Sequence, residues 1–137
     1  MPFGLFFIDL DKFKLVNDTY GHDIGDEYLK ILSNRLQENI RGVDTLARVG
    51  GDEFCIIVKG SDYSKACLIV ANKIKANFSD KVKINGIEIT PQCSIGISIY
   101  PADTEDRDKL MKFADVAMYK AKEIDGNEFR FYSEICK

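Results

Sequence analysis

The stretch RVGGDEFCIIV, Arg48 to Val58, constrains the fold more than any other part of the chain. Two apolar segments, TLARV and FCIIV, flank GGDE, and a double glycine between such segments signals a tight hairpin that needs positive φ. This reading puts Asp52 and Glu53 at a turn that runs directly into a buried strand. Acidic side chains beside a core are costly unless something pairs with them. The plainer alternative is an exposed hairpin tip, where glycine and acidic residues are common.

The N-terminal region offers a partner. Residues 4–8, GLFFI, form a compact apolar run that ends in DLD, the pattern of a buried strand delivering Asp9 at its C-terminal end. DKFKLVNDTYG then reads as a short helix closed by Gly21. From about Asp23 to Arg41, Tyr28, Leu32, Leu36 and Ile40 recur every four residues, with Leu29 beside them, so one face of a long helix turns inward. A second helix, roughly Ser61 to Phe78, repeats that spacing through Ala66, Val70, Ile74 and Phe78. In KVKINGIEI, Asn85-Gly86 predicts a two-residue hairpin turn. In QCSIGISIY, Ile95, Ile97 and Ile99 alternate with Ser94, Gly96 and Ser98, a strand whose small-residue face leaves room for a helix or a ligand. A third long helix, about Glu105 to Glu123, buries Leu110, Ala114 and Met118 and leaves Lys109, Lys112, Lys120 and Lys122 for solvent or an anion; EFRFY closes the chain as a short strand. The order implies an α+β fold: a central, mostly antiparallel five-stranded sheet flanked by helices, with a βαββαβ unit at its heart.

Composition narrows the function classes. The chain of 137 residues fits a single domain, and 45% hydrophobic with 30% charged residues is ordinary for a globular protein. A net charge of −3 gives no basic footprint for polymeric nucleic acid. No apolar run approaches the roughly 20 residues of a bilayer span, so membrane contact by this domain is not expected. Cys55, Cys67, Cys93 and Cys136 form no CxxC pair and lie mostly in apolar segments, which suits reduced core residues and a cytoplasmic location.

In a βαββαβ arrangement the first strand neighbours the central hairpin, so Asp9 can meet Asp52 and Glu53. Three converging carboxylates raise one another's pKa and call for a cation. Hard oxygen donors favour Mg²⁺ or Mn²⁺ over zinc, and Mg²⁺ is commonly shared between one or two carboxylates and substrate phosphates. A nucleoside triphosphate is therefore the expected ligand, and Gly50 and Gly51 would let phosphates approach the backbone. A calcium loop at DLDKFK is excluded by Phe13 and Lys14 in places that need an oxygen ligand and glycine. His22 reads as an ordinary surface or turn residue, and lysines on a helix face are by default solvated.

Taken in order, FFIDLDKFKLVNDTYGHDIGDEYL, ARVGGDEF, CSIGIS and ADVAMYKAK resemble the successive signatures of the GGDEF-domain family, the diguanylate cyclases that join two GTP molecules into cyclic di-GMP. The resemblance spans nearly the whole chain. It implies a palm-like fold, metal binding by Asp9, the Leu10 carbonyl and Asp52, and a role for Glu53 as metal ligand or base. It implies guanine recognition by Asn17 and Asp26, and phosphate contacts from Lys14, Lys122 and the amides around Phe13. The chemistry is apt, because guanine's N1–H and N2–H donors suit a carboxylate, whereas adenine would leave Asp26 unpaired. Each domain would hold one GTP, so a second GGDEF domain must face the first. RGVD, Arg41 to Asp44, would by itself read as a plain surface ion pair, but it matches the family's inhibitory RxxD site, implying that cyclic di-GMP binds there as product inhibitor.

Two departures stand out. Asp125 and Gly126 occupy positions where the family has Gly and a phosphate-binding Arg, a loss of about 1.5–3 kcal/mol if nothing substitutes. The family's leading DxLTGLxNRR helix does not precede MPFGLFFIDLD, so residues 1–137 read as one GGDEF domain lacking that helix and any sensory domain. The competing expectation is a catalytically weak or inactive domain that senses cyclic di-GMP or GTP; a palm-like nucleotidyl transferase with no need of Asn17 and Asp26 is more remote.

Overall fold

A computed structural model of the chain describes residues 2–60, 62–124 and 128–135. Asp125, Gly126 and Cys136 lie outside the described residues. Five strands form the main sheet in the order β2-β3-β1-β6-β7, where β1 is Phe3–Leu10, β2 Thr45–Gly50, β3 Glu53–Lys59, β6 Cys93–Tyr100 and β7 Glu128–Phe131. Only the β6–β7 pairing is parallel. Strands β4 (Val82–Ile84) and β5 (Ile87–Ile89) make a separate hairpin, and Asn85 and Gly86 both take the positive φ that its two-residue turn needs.

Strand β1 is central and covered on both faces, which is why its sequence is apolar without alternation. Phe6, Ile8 and Leu10 enter the larger core with Ile56, Ile95, Ile97 and the helices α2 (His22–Glu38) and α3 (Tyr63–Asn77). Leu5 and Phe7 point the other way, onto Leu110, Ala114 and Met118 of α4 (Arg107–Lys122). The small face of β6 receives this helix and not a ligand. A Cβ on Gly96 would collide with the Ala114 carbonyl and the Met118 amide, and Ser98 Oγ donates to the Leu110 carbonyl at 2.8 Å. Cys55, Cys67 and Cys93 are buried, and burial pushes the Cys67 thiol up to about 12.

Several boundaries differ from the expectation. Helix α2 stops at Glu38 and not near Arg41: Asn39 caps it, and the Asp44 carboxylate accepts the Arg41 amide at 2.9 Å, which turns the chain toward β2. Helices α3 and α4 start later than expected, because Asp62 and Asp106 act as N-caps that accept amides of the first turn. Of the two glycines in the central turn only Gly51 has positive φ, +31°; Gly50 lies in β2 beside a register shift. A short helix, α5 (Tyr132–Ile135), follows β7, so the strand does not end the described chain.

Candidate active site

The register of the sheet builds the site. Asp9 at the end of β1 lies opposite Glu53, the first residue of β3, so both side chains leave the sheet on one face, the face that α4 covers. The Leu10 amide donates to the Asp52 carbonyl at 3.0 Å and ties the strand tip to the turn. Asp52 follows Gly51, and its carboxyl meets that of Asp9. Burial and the charge of Asp9 raise the pKa of Asp52, with Lys122 acting in the opposite direction. Burial and the charges of Asp9 and Asp52 do the same to Glu53. The expected convergence of three carboxylates is therefore a facing pair, Asp9 and Asp52, with Glu53 within electrostatic reach. Among the described residues no three acidic, histidine or cysteine side chains close into a ready metal cluster.

Lys122, from the last turn of α4, places its ammonium on Asp9 Oδ2. Burial opposes the charge on Lys122, but the bond to Asp9 and the acidic surroundings outweigh it, and its pKa is raised. The other oxygen, Asp9 Oδ1, is buried and has no hydrogen-bond partner. An uncompensated carboxylate oxygen beside a second carboxyl is a costly arrangement in a folded protein, and it suits a hard divalent cation. The residues present thus fit Mg²⁺ or Mn²⁺.

Helix α1 (Phe13–Tyr20) begins just beyond the strand tip. Lys12, its N-cap, has φ +64° and no side chain caps the first turn, so the amides around Phe13 and Lys14 are suited to an anion. Phe13 stacks on Tyr28 at 6.5 Å, and Lys14 is exposed. Asp26 lies on α2 and lines a cleft of about 500 Å³ together with Leu29, Arg48 and Phe54. Asn17 is not among the residues lining this cleft; its Oδ1 is buried, unpartnered and pressed against Gly25, whose missing side chain makes the space.

Arg48 was not singled out by the sequence. It lines the cleft, and its Nε donates to the Gly51 carbonyl at 3.0 Å, bracing the turn that carries Asp52. Its place two residues ahead of the glycine pair is the only sequence signal it gives.

Arg41 and Asp44 form a closed pair. Asp44 Oδ2 accepts from the Arg41 amide at 2.9 Å and Nε at 3.0 Å, while Oδ1 accepts from Nη2 at 2.8 Å and from the Lys59 amide at 3.2 Å. The Arg41 guanidinium also reaches the Lys59 carbonyl. Burial alone would raise the Asp44 pKa, but these bonds and the guanidinium charge hold it below the usual carboxylate value. The Asp44 side chain is 0% exposed, so it offers no open oxygen to a guanine edge in this arrangement.

A mostly antiparallel sheet with helices on both faces carries paired carboxylates at a strand tip, beside an uncapped helix start, and this combination defines an α+β domain with a site suited to a cation and an anionic ligand. The family model for "Diguanylate cyclase, GGDEF domain" matches residues 1–128, and the chain belongs to the GGDEF-domain family. It is 41% identical over 130 residues to the bifunctional diguanylate cyclase/cyclic di-GMP phosphodiesterase MucR of Pseudomonas aeruginosa, covering 95% of this chain and 19% of MucR. It is 35% identical to the cyclic di-GMP phosphodiesterase NbdA of the same organism, covering 95% of this chain and 16% of NbdA. The active GGEEF domain of a diguanylate cyclase from Vibrio cholerae superposes with a TM-score of 0.85 at 30% identity, covering 96% of this chain and 83% of that one. The chain thus spans less than a fifth of either curated relative, both of which are larger proteins.

Proposed function

We propose that this domain condenses two GTP molecules into cyclic di-GMP with release of pyrophosphate. The observation that carries the reading is the buried, unpaired Asp9 Oδ1 facing Asp52 beside the uncapped start of α1. Asp9, Asp52 and the Leu10 carbonyl would hold Mg²⁺ or Mn²⁺, which when bound supplies Lewis-acid neutralisation of phosphate charge. The α1 amides and Lys14 bind and orient the phosphates, with Lys122 adding a cation from the α4 side. Asp26 accepts the guanine donors at the cleft, and Asn17 supports that contact once its amide turns from Gly25. One GTP's 3′-oxygen forms a bond to the α-phosphorus of the GTP on a facing second domain as the bond to the pyrophosphate oxygen breaks. The hydroxyl proton leaves toward Glu53 or solvent; a raised pKa suits Glu53 to take it. The same step between the second nucleotide's 3′-oxygen and the first nucleotide's α-phosphorus, with release of the second pyrophosphate, closes the ring. The buried thiols of Cys55 and Cys67 suit a reducing, cytoplasmic setting.

The test is to fuse the domain to a parallel coiled coil, incubate it with GTP and Mg²⁺, and identify the products. Cyclic di-GMP and pyrophosphate in a ratio of one to two are expected; absence of any cyclic dinucleotide sinks the reading. A domain that binds GTP or cyclic di-GMP without turnover is the second reading, favoured by the kinship with a protein named as a phosphodiesterase. Product inhibition at Arg41 and Asp44 belongs to this proposal as well, and it requires the closed pair to open. Cyclic di-GMP binding that Arg41→Ala abolishes would support it.

A further inference from the structure

The segment ADVAMYKAK contains one large aromatic residue that neither the core nor the proposed reaction uses. Tyr119 lies on α4 and is 60% exposed, although the helix has buried positions available at Leu110, Ala114, Ala117 and Met118. Its ring is not idle: the Lys122 ammonium lies 5.7 Å from the ring centroid, within the range of a cation–π contact. The spacing of three residues puts both side chains on the same helical face. Lys120, the other lysine of this turn, is directed elsewhere, onto Glu123 at 3.4 Å.

We propose that Tyr119 is a positioning residue that holds the Lys122 ammonium at Asp9, on the phosphate side of the carboxylate pair. A lysine stem has four rotatable bonds, and a single ion pair to Asp9 leaves most of them free. The ring of Tyr119 gives the ammonium a second contact and narrows its range before phosphates arrive. The face of the ring supplies the attraction, so the phenol hydroxyl is dispensable. This inference rests on the nucleotide-binding reading of the site, but its first readout does not.

The experiment compares wild type, Tyr119→Phe and Tyr119→Leu in two ways. The first is the carbon and proton NMR shift of the Lys122 ε-methylene. A ring-current displacement is expected in wild type and Tyr119→Phe and should vanish in Tyr119→Leu; an unchanged shift in Tyr119→Leu overturns the proposal. The second is affinity for a non-condensing GTP analogue with Mg²⁺. Tyr119→Leu should weaken binding roughly 2- to 5-fold, with Tyr119→Phe near wild type. In a Lys122→Met background Tyr119→Leu should add nothing, and an equal loss there overturns the route through Lys122. If wild type binds no nucleotide while the Lys122 shift still responds to Tyr119→Leu, the positioning stands and the nucleotide assignment falls.

Discussion

Asp9 and Asp44 are buried to nearly the same degree, 8% and 9% exposed, and each faces one basic side chain, yet their oxygens are treated in opposite ways. Asp44 has both oxygens filled by four donors from Arg41 and Lys59. Asp9 has one oxygen on Lys122 and the other on nothing, with Asp52 beside it. A saturated carboxylate returns its desolvation cost as stability; an unsaturated one next to like charge keeps that cost and needs a ligand to offset it. In this arrangement Asp44 is occupied in holding the fold and Asp9 is left open to a ligand, even though both belong to motifs that the family resemblance marks as functional.

The hardest blow to that comparison would come from Asp52→Ala. With the coiled-coil dimer, cyclic di-GMP formation should fall on the order of 10³-fold while the circular dichroism spectrum and melting cooperativity stay native. A variant that remains active refutes the assignment of the carboxylate pair.

Next in size is Asp44→Asn, which keeps the shape but removes the charge that the Arg41 fork grips. A loss of about 2 kcal/mol in urea unfolding at pH 7 is expected. The sign with pH follows from the lowered native pKa of Asp44. Its contribution is fully present above the unfolded value of 3.8 and disappears as pH falls through the still lower folded value. The stability gap between wild type and Asp44→Asn should therefore shrink at the acid end, and a gap independent of pH would contradict the clamp.

Gly25→Ala tests the second buried orphan, Asn17 Oδ1. A methyl group there collides with the Asn17 amide, so affinity for a GTP analogue should drop about tenfold, roughly 1.4 kcal/mol, by isothermal titration. Unchanged affinity would detach Asn17 from guanine recognition. The smallest effect belongs to Lys122→Met, which removes the only cation paired with Asp9 among the described residues. A loss of about 1 kcal/mol is expected in EDTA, with Mg²⁺ restoring more stability to the variant than it adds to wild type. Equal Mg²⁺ effects in both would count against a metal seat at Asp9.

Much of this contrast could be anticipated from the chain. The strand-tip Asp9 and the hairpin carrying Asp52 and Glu53 were legible because apolar runs and turn glycines mark them, and the βαββαβ order makes those strands neighbours. The helix-sized gap on β6 was legible in Ser94, Gly96 and Ser98, but its occupant was not, since spacing alone cannot choose between a helix and a ligand. The overrun of α2 to Arg41 has a clear cause. Ile40 continues the apolar spacing, whereas the stop is made by Asn39 and by a carboxylate that lies four residues beyond Ile40. The pairing of Arg41 with Asp44 was legible as the default reading of an isolated RxxD, but as a surface pair; that Asp44 is buried under four donors was not, because an RxxD motif reads identically whether its carboxylate faces outward or inward. By spacing alone Lys122 looked like one lysine of a solvated face, and the family resemblance marked it for a phosphate; its pairing with Asp9 was not legible, because only the packing of α4 across β6 brings the two together.

On the proposed function, the oxygen that Asp9 leaves unpaired serves catalysis. The most direct measurement is mass-spectrometric detection of cyclic di-GMP from the dimerised Asp9→Asn variant supplied with GTP and Mg²⁺, with its melting temperature recorded in the same buffer. With Asp9 in that role, no product and a melting temperature within about 3 °C of wild type are expected, since relief of the repulsion with Asp52 offsets the lost pairing with Lys122. Undiminished cyclic di-GMP from Asp9→Asn, in a protein that melts like the wild type, would contradict it.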